Sequence, residues 1–189
     1  MIRPFGAQSS LKPFFLDLTN RSFDQLGFGA QREADYVAEL LAEFGMQRSW
    51  LPSKRGEARA FLELSEVILQ RIRKEQPESA TLIGERAYRK HVGDMTLFMT
   101  GIFRRFIERN GLLDRYFETG RRSYAELSRI EEALNREAAS MFEELSRGFE
   151  QYSGAIDYMH KCFFAHAQGD DPFADFVEYL NRRALITRN

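Results

Sequence analysis

Residues 138–166 read AASMFEELSRGFEQYSGAIDYMHKCFFAH. Within this run Ala138, Phe142, Leu145, Phe149, Tyr152, Ile156, Met159, Phe163 and His166 follow one another at alternating spacings of four and three. An α-helix turns once in about 3.6 residues, so these positions share one stripe and make a continuous heptad seam. Glu and Arg occupy many of the intervening positions and predict a wetted outer face. Gly169-Asp170-Asp171-Pro172 then closes the helix, with Asp171 as N-cap and Pro172 in the first turn of a short final helix reaching about Leu185.

Upstream the same periodicity recurs. A helix is expected from Leu112 to about Leu134, with Leu113, Tyr116, Phe117, Gly120, Tyr124, Leu127 and Ile130 facing inward. Before it, the most apolar segment runs from about Glu78 to Asn110. Its stripe is Ala87, His91, Met95, Phe98, Ile102 and Phe106, widened by Tyr88, Met99 and Phe103. Gly84, Gly93 and Gly101 lie within it. An interior glycine costs about 1 kcal/mol relative to alanine, so these predict close approach of a neighbour or a kink near Gly93. Asn110-Gly111 ends the segment. A further helix is expected from Glu57 to Gln76, with Phe61, Leu62, Ser65, Ile68, Leu69 and Ile72 as its apolar side and Pro77 after it. The stretch Gly45 to Gly56, holding Trp50 and Pro52, reads as the one long loop. Tyr36, Val37, Leu40, Leu41 and Phe44 mark a helix from about Ala30, with Gly45 as its C-cap. Leu11 to Phe28 reads as one or two short helices around Pro13, packing through Phe14, Phe15, Leu18, Phe23 and Leu26. The expectation is an all-α, single-domain bundle of six or seven helices, mostly up-and-down, with short N-terminal helices at 1–29 and the main bundle at 30–189. No repeat period emerges, which argues against a solenoid.

Composition supports this. The chain has 189 residues, enough to bury a core without staples. Seventeen Phe and seven Tyr predict a core rich in ring contacts. None of the five prolines falls between Pro77 and Pro172, which leaves room for long helices. The net charge of −1 and pI near 6.3 argue against a dedicated nucleic-acid binder. The basic pairs Arg104-Arg105, Arg121-Arg122 and Arg182-Arg183 sit among acids such as Glu108, Glu118 and Glu178, so they read as mixed-charge faces. Cys162 is the only cysteine, which excludes an intramolecular disulfide and fits a reducing compartment. The first ten residues lack the pattern of a signal peptide. The longest apolar stretch, Met95 to Phe103, is far shorter than the roughly 20 residues a membrane span requires. A cytoplasmic protein is expected.

Few residues could carry chemistry. His91 shares the apolar stripe with Asp94 three residues on, and reads as a buried imidazole held by a carboxylate or carbonyl, or else as a ligand or base. His160, Cys162 and His166 form a second group, in which Cys162 and His166 lie one helical turn apart and could share a metal. Asp157 and His160 form the only acid-x-x-His pair. Without any Glu-x-x-His motif the ferritin-like di-iron site is excluded, and without Cys-x-x-Cys-His there is no haem attachment signal. No phosphate-cradling glycine loop, nucleophile elbow or His-Glu-x-x-His occurs. Asp170, Asp171 and Asp175 match the aspartate-rich motif of prenyl-transferring enzymes only superficially, with the spacing off by one, and helix capping explains them.

The run His91-Val92-Gly93-Asp94-Met95-Thr96-Leu97-Phe98-Met99-Thr100-Gly101-Ile102-Phe103 resembles a segment of uncharacterised bacterial all-helical proteins. Tyr116 to Tyr124 (YFETGRRSY) and Tyr36 to Leu41 (YVAELL) resemble companion segments. The resemblance implies a helical fold and brings no catalytic residues with it. Its glycines, aromatics and small polar residues are of the kind that set close helix packing. Asp94, Thr96, Thr100 and Tyr124, with His91, could also line a small pocket between two helices. The functional expectation is a non-catalytic interaction or small-ligand-binding module without a cofactor, its partner another protein or a second copy of itself through the long seam or another face. The alternative is a metal- or haem-dependent enzyme or sensor using His91 or the His160/Cys162/His166 cluster.

Overall fold

The computed structural model describes residues 8–27, 31–46 and 81–163. Among them the protein is all-α, with seven helices and no strand: α1 (Gln8–Leu26), α2 (Gln31–Met46), α3 (Leu82–Ile102), α4 (Arg104–Arg109), α5 (Leu113–Ala133), α6 (Ala139–Arg147) and α7 (Phe149–Phe163). The expected helix at Glu57–Gln76, the loop around Trp50, the Gly169–Pro172 cap and the final helix lie outside the described residues. Two compact units divide the chain, one of residues 1–58 and 155–189, the other of 59–154.

In the first unit α1 packs along α2. The segment around Pro13 is one helix rather than two short ones. Pro13 stands near its start, where the missing N–H forfeits a single backbone bond. Phe15, Leu18 and Phe23 are buried as expected, whereas Leu26 is exposed. Val37, Leu40, Leu41 and Phe44 bury the facing side of α2. Gly45 does not cap this helix, which continues through it to Met46. Left-handed glycines occur instead at Gly27 (φ 76°), after α1, and Gly111 (φ 68°), between α4 and α5. Ala155, Ile156 and Met159 of α7 are buried, and Thr19 Oγ1 lies 4.0 Å from Met159 Sδ.

The second unit is built on α3 and α5, an antiparallel pair with α6 folded back along α5. Every residue of α3 from Val92 to Ile102 is buried, so this half of the helix is enclosed on all sides. The expected helix Glu78–Asn110 is two helices. Its break falls at Phe103 (φ −109°, ψ 27°) and not at Gly93. Two threonines ahead of the break bond back onto their own helix. Thr96 Oγ1 donates to the Val92 and Gly93 carbonyls at 2.7 and 2.9 Å, and Thr100 Oγ1 to the Thr96 and Leu97 carbonyls at 2.8 and 3.3 Å. Such back-bonding draws carbonyls away from the ladder and bends a helix.

The described part of the seam, to Phe163, is likewise two helices, parted at Gly148 (φ −93°, ψ 15°). The Gly148 N–H still donates to the Glu144 carbonyl, and the Tyr152 N–H to that of Gly148, both at 2.9 Å, so the stripe keeps its register across the bend. Phe142, Leu145, Phe149, Tyr152, Ile156 and Met159 are all buried within the chain. His166 lies outside the described residues.

Candidate functional site

A polar part of the interior lies between α3 and α5, and its shape begins with a missing side chain. A Cβ on Gly93 would come within 2.6 Å of Tyr124 Cε1, so only glycine lets this ring lie on the α3 backbone. The ring is also stacked on Phe142 and tilted against Phe149, with centroids 5.9 Å away in both cases. Held there, the phenol donates to Asp94 Oδ1 at 2.9 Å. Lys90 Nζ lies 2.6 Å from the other oxygen, Oδ2. Tyr124 is 0% exposed and Asp94 4%. A carboxylate withdrawn from water this far requires charge-assisted partners, and these two supply them.

A ladder of ion pairs continues along the same two helices. Arg89 Nε meets Glu85 at 2.5 Å, while its Nη2 crosses to Glu126 on α5 at 2.6 Å. Arg122 Nε reaches the second oxygen of Glu126 at 3.0 Å, and that bond raises its already high pKa. Arg86 Nε meets Glu131 Oε1 at 2.5 Å, and Arg136, in the turn after α5, approaches Oε2 at 3.8 Å. The Glu131 side chain is 0% exposed. Going up α3 through Arg86, Arg89 and Asp94, the partners run down α5 through Glu131, Glu126 and Tyr124. That order is what antiparallel packing demands.

Four of the five residues expected to line a pocket are therefore enclosed together, and in a packed arrangement. Thr96 and Thr100 donate into their own helix. Gly120 lets the Phe149 ring press in, since a Cβ there would stand 2.1 Å from Phe149 Cζ and 2.7 Å from Thr96 Oγ1. His91 departs from the expectation, because it is exposed. The first turns of α3 turn Arg86 and Arg89 towards Glu131 and Glu126 of α5 and Lys90 to Asp94 on its own helix, so the apolar stripe expected through Ala87 and His91 does not set the buried face there. Glu131 carried no sequence signal, because its partner Arg86 is 45 residues away.

The second cluster lies at the end of α7. Cys162 is exposed and His160 half-buried. Asp157 Oδ2 is 2.5 Å from Lys161 Nζ. Tyr158 donates to Gln25 Oε1 of α1 at 3.0 Å, and its hydrogen bond with Cys162, with the repulsion between the two ionised groups, holds the phenol above its ordinary range. Among the described residues no group of three or more His, Cys, Asp and Glu is placed to hold a metal ion. Of the basic pairs, Arg104 is engaged with Glu108, Arg121 with Glu150 and Arg122 with Glu126, while Arg182-Arg183 lies outside the described residues. No helix among the described residues is long and apolar enough to cross a membrane. Comparison with protein-family models, with curated proteins and with solved structures finds no match to this chain.

Proposed function

We propose that the protein is a non-catalytic helical module of the cytoplasm that acts by binding another protein. The observation that carries this reading is the Tyr124–Asp94 hydrogen bond, closed within a layer of rings. The residues best suited to proton transfer are joined to one another and enclosed. A substrate could reach them only by displacing packed side chains, whereas general acid–base work needs a group within hydrogen-bond reach of the substrate. The neighbouring hydroxyls and ions also serve helix packing, which leaves the outer helix faces as the means of action.

The reading is tested by native mass spectrometry and in-cell cross-linking of the full chain isolated from its own producing cells. The expected result is a stoichiometric complex with one partner protein that survives dilution. A chain that stays monomeric and gives no discrete cross-linked product would overturn the proposal.

A further inference from the structure

Asn110-Gly111 is the one Asn-Gly pair in the sequence, and both residues are exposed. The pair closes α4 in a Schellman turn. The Gly111 N–H donates to the Glu108 carbonyl at 2.9 Å and the Leu112 N–H to that of Ile107 at 3.1 Å. Gly111 stands at φ 68°, a left-handed conformation that glycine adopts without strain. The bare Cα that suits it to this turn also leaves its nitrogen unhindered as a nucleophile towards the side-chain amide before it. In the folded turn the two groups are held apart. Asn110 Nδ2 donates to the Phe106 carbonyl at 2.8 Å. At ψ 4° the Gly111 nitrogen lies beside the Asn110 backbone nitrogen, whereas closure of a five-membered ring needs it beneath Cβ.

We propose that Asn110 is a site of spontaneous succinimide formation, opened when the last turn of α4 unwinds. The Gly111 nitrogen gives its proton to hydroxide and attacks Asn110 Cγ. The N–Cγ bond forms and the Cγ–Nδ2 bond breaks, and Nδ2 leaves as ammonia on taking a proton from water. Water then opens the ring at either carbonyl, giving aspartate or isoaspartate, with net consumption of water and release of ammonia. The fold places the site on an element suited to opening, since α4 has six residues and Ile107 alone among them is buried. The product cannot donate to Phe106 and sets a negative charge at a helix C-terminus, which disfavours re-formation of the turn.

The full chain, folded and in urea, is held in mildly alkaline buffer, and peptide mapping by mass spectrometry follows aspartate and isoaspartate at position 110. Conversion should be slower in the folded chain by about ten-fold or more. Ile107→Val, which trims the buried anchor of α4, should speed conversion of the folded chain by about three-fold. Equal rates with and without urea would overturn the proposal, as would the absence of conversion in urea. A folded-state rate left unchanged by Ile107→Val would overturn it too, because unwinding of α4 would then not be the gate.

Discussion

Gly93 and Gly120 stand where a ring from a neighbouring helix lies against the backbone, and both rings are fully buried. Neither ring can swing away, so Gly93→Ala and Gly120→Ala should each destabilise the protein by about 1–3 kcal/mol through overpacking. Gly120→Ala should be the worse, because its methyl would meet both Phe149 and Thr96. Urea unfolding measures this, and a wild-type midpoint for either variant would contradict the geometry. The Asp94–Tyr124 bond makes a second prediction at this scale. A double-mutant cycle of Asp94→Ala and Tyr124→Phe should give a coupling of about 1–3 kcal/mol, as expected where removing one partner strands the other in the interior. Additive effects would mean that the two groups do not depend on each other. Asp94 and Tyr124 are legible together in the sequence, since each falls in an inward-facing segment that also carries a close-packing glycine. The exposure of His91 is not, because periodicity reports a stripe and not which neighbour covers it.

Helices are read most easily through their middles and least at their ends. The stripes of α5, α6 and α7 follow from the sequence, because apolar spacing fixes the buried side. The breaks at Phe103 and Gly148 do not, since both arise within runs whose apolar spacing continues undisturbed. The start of α3 shows an ordinary cap. Thr81 Oγ1 accepts the Gly84 N–H at 3.3 Å. Thr81→Ala should cost about 1 kcal/mol, while Thr81→Ser keeps the acceptor and should stay within a few tenths of wild type. Thermal unfolding of the two variants side by side decides it. Equal losses would show that the hydroxyl contributes nothing.

Across the whole molecule, near-equal numbers of acids and bases give a net charge of −1, and many of these charges meet within the chain. Their weights differ greatly. Arg147 reaches Glu143 and Glu144 at the surface, with its own side chain 64% exposed, so Arg147→Met should change stability by less than about 1 kcal/mol. Arg86→Met would leave Glu131 buried with only the more distant Arg136, and should cost about 3 kcal/mol. Similar losses in the two variants would show that burial of Glu131 does not set the cost. The bundle as a whole is readable from length, composition and stripe. The ion ladder is not, because it joins residues far apart in the chain and needs the antiparallel pairing of α3 and α5 to appear at all. That separation also has a consequence during synthesis. Val92 to Ile102 leaves the ribosome before its cover is made, for Tyr124 follows Asp94 by 30 residues. At about 5–20 residues per second, the most apolar segment of the nascent chain waits roughly 2–6 seconds for α5, and longer for Phe149. During that interval it is the stretch a chaperone would hold.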